Sequence, residues 1–209
     1  MKIAFVGKGG AGKTTVSSLF CLYYSKNKSV LAIDADINMH MAELLGLNAT
    51  SPDLLLSEKY PSDKIRTWLR GDNSRIKNNA EFKKSTPPGR GSRIIDITDN
   101  NWFINNYTRP ISKNLHLATV GSYSENGLAS SCYHNNLAIL ENILSHTNDS
   151  GVVAVDMVAG TDAFASTLYA QFDMLVFAVE PTVRGLKVLD DYLLAYNWLR
   201  LAALLIAWL

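Results

Sequence analysis

The chain predicts an α/β fold, a doubly wound and mainly parallel sheet with flanking helices, and three observations carry that expectation. Apolar runs alternate with segments of helical apolar spacing, which is the pattern of βαβ units. The runs Val30-Leu31-Ala32-Ile33, Val152-Val153-Ala154-Val155 and Leu175-Val176-Phe177-Ala178-Val179 are almost continuously hydrophobic, as strands buried on both faces must be. A glycine-rich turn from Gly7 to Gly12 joins the first apolar run to the first helical segment.

In chain order, strands are expected at Lys2 to Val6, Ser29 to Asp34, Leu115 to Gly121, Gly151 to Met157 and Met174 to Glu180. Helices are expected at Gly12 to Ser25, where Val16 to Leu22 has helical spacing, and at Met39 to Leu45, Asn135 to His146, Asp162 to Ala170 and Arg184 to Leu199. Right-handed crossovers between parallel strands place ligand-binding atoms at the carboxyl ends of the strands. Residues 48 to 114 break the rhythm: they are rich in Ser, Asn, Lys and Pro, with Pro87-Pro88-Gly89-Arg90-Gly91 as the clearest turn-forming run. They read as a long, irregular and partly mobile basic insertion. There is no internal repeat.

A length of 209 residues suits a single domain spanning 1–209 with a substantial core. The formal net charge of +1 excludes a global attraction to polyanions. Residues 57 to 115, however, hold 12 of the 20 Lys and Arg against 6 acidic residues. Such a stretch could meet nucleic acid, but a solvated insertion is the simpler reading. Its aromatics (Tyr60, Trp68, Phe82, Trp102, Phe103, Tyr107) follow no nucleic-acid-binding spacing. Two cysteines, Cys21 and Cys132, make no disulfide framework, and the N-terminus opens on a working strand, so a reducing, cytoplasmic location is expected.

Gly7-Lys8-Gly9-Gly10-Ala11-Gly12-Lys13-Thr14-Thr15 satisfies the phosphate-binding spacing G-x-x-x-x-G-K-[ST] directly after Ile3-Ala4-Phe5-Val6. Gly9, Gly10, Ala11 and Gly12 let backbone N–H groups close around phosphate oxygens. Lys13 reaches the β/γ-phosphates, Thr14 offers its hydroxyl to Mg2+, and Thr15 lies on the first turn of a helix whose positive end faces the anion. Carboxylates are expected on the same rim. Asp34 and Asp36 end the second strand and can hold the metal shell and orient an attacking water, or Asp36 and Asn38 can cap the next helix. Asp156 closes the fourth strand, where an acid binds Mg2+ through water or caps the helix that follows.

Lys8, directly after the first glycine, is not required by the general motif. With it the loop resembles the deviant Walker A, K-G-G-x-x-G-K-T, of the MinD/ParA/nitrogenase-iron-protein class of P-loop NTPases. That resemblance implies that Lys8 acts across a nucleotide-sandwich homodimer that forms on ATP binding, and that Asp36 positions the hydrolytic water while Asp34 and Asp156 support the metal. It also implies that Asp156-Met157-Val158-Ala159-Gly160 contains the γ-phosphate sensor and that Glu180-Pro181-Thr182 is a turn at the nucleotide, with Thr182 capping the last helix. Within the class, the Asp34 to Asn38 and Asp156 to Gly160 segments are most similar to the CooC-like ATPases of carbon monoxide dehydrogenase maturation. Those carry C-x-C where this chain has Ser130-Ser131-Cys132. A Cys132/His134 pair from each of two protomers could still form a tetrahedral metal site, and a small buried apolar cysteine is the simpler reading.

The resemblance further implies a strand after residue 199, ending against the adenine base. Leu201-Ala202-Ala203-Leu204-Leu205-Ile206-Ala207-Trp208-Leu209 reads instead as a truncated or aberrant end at about 200–209, with a hydrophobic docking helix as the alternative. It is too short to span a bilayer and lacks the basic face of an interfacial helix. The function expected is therefore a Mg-ATP-binding ATPase acting as a dimerisation switch for an unidentified protein client, with metallocentre maturation as one setting. The alternatives are a positioning module on DNA or membrane, an inactive nucleotide-binding remnant and, last, an amidotransferase-related synthetase.

Overall fold

The computed structural model describes residues 1–98, 101–122, 136–160, 167–196 and 202–207. Seven strands form one sheet: β1 (Lys2–Gly7), β2 (Val30–Ala35), β3 (Arg109–Ser112), β4 (Leu115–Thr119), β5 (Val152–Met157), β6 (Met174–Val179) and β7 (Ala202–Ala207). Their order is β3-β4-β2-β5-β1-β6-β7, parallel throughout except for the β3–β4 pair. The helices are α1 (Lys13–Tyr24), α2 (Met41–Leu44), α3 (Lys59–Arg70), α4 (Trp102–Tyr107), α5 (Leu137–Ser145) and α6 (Val183–Tyr196), with 3₁₀ turns at Pro52–Leu54 and Thr167–Gln171.

Alternate residues of the continuous apolar runs serve opposite faces of the sheet. Ala4, Val6, Leu31, Ile33, Val153, Val155, Leu175 and Phe177 share one core with Ile65 and Leu69 of α3, Leu140 and Ile143 of α5 and Tyr192 of α6. Ile3, Phe5, Val30, Ala32, Val152, Ala154 and Val176 form the other with Cys21 of α1 and Met41 and Ala42 of α2. Cys21 is thus a small apolar core residue, and burial pushes its thiol up to about 12. Among the described residues, no helix is long and apolar enough to cross a membrane.

The five expected strands are present within one or two residues at each end, and the helices of 12–25, 135–146 and 184–199 appear as α1, α5 and α6, with residues 135 and 197–199 outside the described residues. The helix expected at 39–45 shrinks to the four residues of α2, because Met39 sits at φ 53 and cannot belong to it. Of the helix expected at 162–170, residues 162–166 lie outside the described residues, and 167–171 form a 3₁₀ turn. At the other end, 202–207 pairs in parallel with β6, from Met174↔Ala202 to Val179↔Ala207. A strand therefore stands where the sequence reading placed an aberrant end.

The stretch read as an irregular excursion is the largest correction. It contains α3, α4 and β3, and Leu56, Ile65, Leu69, Ile76, Phe82, Ile95, Phe103 and Ile104 are buried in the main core. α3 hid because the buried residues among its 12 are few, Pro61, Ser62, Ile65 and Leu69, and stand amid lysines and arginines. Trp68 stacks on Trp102 at 5.4 Å, joining α3 to α4. Asn101 caps α4 by accepting from the Phe103 and Ile104 N–H groups.

Asn142 of α5 holds this region in place. It is fully buried; its Oδ1 accepts from Arg66 Nε at 3.2 Å, and its Nδ2 donates to the Lys83 and Lys84 carbonyls at 2.8 and 2.9 Å. Asn142→Ala leaves those groups facing a cavity. It is expected to lower the unfolding free energy in urea by about 2–4 kcal/mol and to open residues 83–91 to limited proteolysis before the rest of the chain. A change below about 0.5 kcal/mol, the range of ordinary surface substitutions, would contradict the assigned docking role.

Candidate functional site

The glycines of the first loop answer to space as well as to φ. A Cβ at Gly7 (φ 142) would stand 2.2 Å from the Ala178 carbonyl oxygen of β6, so the first loop residue must be glycine for β1 and β6 to pair. Gly10 and Gly12 lie at φ 83 and 81. Gly12 is the N-cap of α1 and makes no side-chain cap, which leaves the first N–H groups of that helix directed at the loop's concavity. Lys13 is buried and folds back so that its Nζ donates to the Lys8 carbonyl at 3.3 Å.

Strand register brings the acids together. Asp34 and Asp156 are direct neighbours across the β2–β5 ladder, and both are fully buried. The two carboxyls have different partners. Asp34 accepts from the Asp36 N–H at 3.1 Å and the Met41 N–H at 2.9 Å, so it, and not Asp36 or Asn38, caps α2. Asp156 has no hydrogen bond of good geometry to either oxygen. Burial, and then the Asp156 charge, raise Asp34 to about 7 against those two N–H groups. Burial raises Asp156 to about 6, although the Thr14 and Ser17 hydroxyls and the Lys13 charge favour its ionised form.

Asp36 is nearly buried, and its Oδ1 accepts from both the backbone N–H and the Nδ2 of Asn38 at 2.9 Å. The loop then turns through Met39 at φ 53, a strained conformation for a long side chain that costs on the order of 1–3 kcal/mol. Opposite it, Gly160 (φ 95) donates its N–H to the Gly7 carbonyl at 3.2 Å, folding the segment after β5 over the phosphate loop. The hydroxyl of Tyr192, buried against Phe177, donates to the Gly160 carbonyl.

Between these walls lies a cavity of about 870 Å³, bordered by Gly9, Gly12, Lys13, Thr14, Thr15, Asp36 and Ala159, a size that suits a small-molecule ligand. A second cavity of about 340 Å³ lies between Gly10, Ala11, Gly12 and Thr15 on one side and Glu180 and Pro181 on the other. Residues 48–114 contribute to neither. Thr182 caps α6, accepting the Gly185 N–H at 3.0 Å, as the sequence predicts. Lys8 meets Glu180, its Nζ 2.8 Å from Oε2. Cys132 and His134 lie outside the described residues.

A divalent cation fits this arrangement. Asp156 offers two buried oxygens in need of a partner beside the Thr14 hydroxyl, and hard oxygen donors of this kind suit Mg2+. No cluster of three ligating side chains exists among the described residues. Sequence reasoning missed Tyr192, whose apolar stripe on α6 gives no hint of the hydroxyl's partner, and His40 and Glu43, which line the larger cavity. It also missed the Lys8–Glu180 pair, which needs two segments 172 residues apart.

The raised carboxyls fix the sign of a pH effect. Their native pKa values lie above the ordinary 3.8, so the native state binds more protons than the unfolded chain between about pH 4 and 7. Without metal, stability is therefore present at the acid end of this window and lost as pH rises through about 6 and 7. Asp156→Asn is expected to flatten that slope and raise stability at pH 7.5 by on the order of 1–3 kcal/mol in urea unfolding. A variant whose slope matches that of the unchanged chain would contradict the buried-acid account.

With this geometry in view, comparison with known proteins is specific. Residues 3–186 match the CobQ/CobB/MinD/ParA nucleotide binding domain. The carbon monoxide dehydrogenase accessory protein CooC of Rhodospirillum rubrum is 30% identical over 190 residues, covering 90% of this chain and 65% of that protein. This chain thus spans about two thirds of the length of that relative. Among solved structures, a ParA family ATPase from Chlorobium tepidum TLS superposes with a TM-score of 0.61 at 15% identity, covering 99% of this chain and 72% of its own. The septum site-determining protein MinD of Pyrococcus horikoshii OT3, complexed with Mg-ADP, does so with 0.57 at 14%, covering 97% and 67%. The sheet order, the glycine-rich loop and the strand-end acids therefore belong to a recognised lineage: this chain is a member of the CobQ/CobB/MinD/ParA nucleotide-binding family.

Proposed function

We propose that the chain is a Mg-ATP-dependent ATPase whose nucleotide state controls the closure of two protomers. The observation that carries this reading is Asp156, a buried carboxylate with two unpartnered oxygens beside the phosphate-loop Lys13 and Thr14. A cation coordinated by triphosphate would satisfy it.

In this reading the N–H groups of Gly9 to Thr15 cradle the phosphates, and Lys13 exchanges the Lys8 carbonyl for β/γ-phosphate oxygens. Thr14 and Asp156 hold the Mg2+, with Asp34 beside them bracing the loop that carries Asp36. Held there, Mg2+ would supply positive charge against the phosphates. Asp36 accepts a hydrogen bond from the attacking water and aligns it with the γ-phosphorus. The bond from that phosphorus to the β–γ bridging oxygen breaks, leaving ADP and phosphate. Glu180 and Pro181 border the smaller cavity, which suits the ribose and base. Lys8 supplies positive charge to the partner protomer's phosphates and is the residue that makes hydrolysis depend on pairing.

The relative that is 30% identical, an accessory protein of carbon monoxide dehydrogenase, supports our reading of the client. We place this chain in metallocentre maturation in the cytoplasm, with a metalloenzyme or its assembly partner as client. Lys13→Ala is expected to abolish ATP binding. Lys8→Ala should keep binding while losing ATP-dependent self-association and lowering turnover by about 10²- to 10³-fold. Asp36→Ala should bind ATP, remain associated and lose hydrolysis to a similar degree. Phosphate release and light scattering with Mg-ATP read all three. Turnover that survives both lysine changes would overturn the mechanism.

A further inference from the structure

Lys8 is the one residue of the phosphate loop whose proposed task lies on another protomer, so where it rests in a lone protomer matters. It is held by Glu180: Nζ lies 2.8 Å from Oε2, with the lysine side chain 34% and the glutamate side chain 30% exposed. Among the described residues this is the only ion pair between two side chains. The glutamate half is rigidly mounted. Its carbonyl accepts the Thr182 N–H at 2.7 Å across Pro181, and Gly185 packs so close beneath that a Cβ there would stand 2.4 Å from the Glu180 carbonyl oxygen. The other carboxylate oxygen, Oε1, lies 3.4 Å from where a Cβ of Gly10 would be. The carboxylate is thus backed by the loop itself at the edge of the smaller cavity.

From this juxtaposition we propose that Glu180 is a positioning residue that stores Lys8 in the unpaired protomer and releases it to the phosphates of a second copy of this chain as two protomers close. The proposal rests on the reading of Lys8 given above. The turn fixes the Glu180 backbone and Gly10 stands behind one carboxylate oxygen, so the longer, four-carbon lysine stem is the arm that swings. Partial exposure lets the ammonium leave without crossing a dry interior. Storage also keeps the ammonium from folding onto the protomer's own phosphates, which lie on the inner side of the same loop. A partner's triphosphate, carrying more charge than one carboxylate, wins the competition, whereas the fewer charges of a diphosphate favour return to Glu180.

Two measurements on the full chain test this. Without nucleotide, reductive methylation read by peptide mass spectrometry should modify Lys8 more slowly than exposed Lys187. In Glu180→Gln, Lys8 should react about two- to fivefold faster, with Lys13 and Lys26 unchanged. With Mg-ATP, Glu180→Gln should self-associate at about two- to fivefold lower protein concentration in sedimentation velocity, and Lys8→Ala should erase that gain. Lys8 as reactive as Lys187 in the unchanged chain overturns storage even where the variant folds poorly, and so does equal Lys8 reactivity in the two chains. If Lys8→Ala loses ATP-dependent self-association while Glu180→Gln matches the unchanged chain, the hand-over alone falls. If Lys8→Ala self-associates normally, the reading beneath it falls as well.

Discussion

Like charge buried at the ends of two adjacent strands is the constraint on which the rest of this site depends. The β2–β5 register sets Asp34 directly beside Asp156 with no water-exposed edge for either. In a medium of low dielectric, two neighbouring carboxylates cannot both ionise unless something compensates each. Asp34 is compensated by backbone, the N–H groups of Asp36 and Met41, and that choice shapes the loop between them. The loop must close on a strand-end carboxylate within seven residues, and Met39 takes a positive φ in the course of it. Asp156 has no such backbone donors, so its charge calls for a cation from outside the sheet. The acid that shapes the loop and the acid left without a backbone partner, the proposed ligand of the ion, are therefore separate residues held in one register.

This division explains what could be read from residues alone. The phosphate loop and the strand ends were legible because both are local: glycine spacing follows from positive φ and close approach, and a carboxylate after an apolar run marks the end of a buried strand. Asp34 was harder. The sequence reading placed it in the metal shell and offered Asp36 or Asn38 as the cap, and only the Met41 N–H shows that Asp34 caps α2 itself. Lys8 was visible as an anomaly in the motif, but its resting partner was not, since nothing near it in sequence points to Glu180. The 202–207 strand was missed because a short apolar run looks alike as strand, docking helix or debris until a neighbour pairs with it.

The basic insertion shows a different limit. Its charge count is correct and misleading together, because charges report the solvated side of an element and conceal the side that is packed. Ile65, Leu69, Ile76, Phe82 and Ile95 are spread over residues 65–95 with no single period, yet all enter one core. What organises them is polar and distant, the amide of Asn142 on α5, whose oxygen accepts from Arg66 and whose nitrogen donates to the Lys83 and Lys84 carbonyls. A lone buried asparagine in an apolar helix is a signal, but it does not name its partners.

The insertion and the nucleotide rim are also mechanically joined. Leu56 and Ser57 donate their N–H groups to the Thr119 and Val120 carbonyls at the end of β4, and Val120 donates to the Asp34 carbonyl at 2.8 Å. Asn136, just ahead of α5, donates to the Ser122 carbonyl at 2.7 Å. The carboxyl end of β4 is thus where the insertion enters, where α5 begins and where the acid-bearing strand is bonded. Gly121 belongs there for the same reason, since a Cβ would stand 2.9 Å from Ser57 Oγ. A surface built from the insertion would stand on the same rigid strand ends as the phosphate site. The insertion and the phosphate loop are therefore carried by one frame, and the sheet register that crowds Asp34 against Asp156 supplies it.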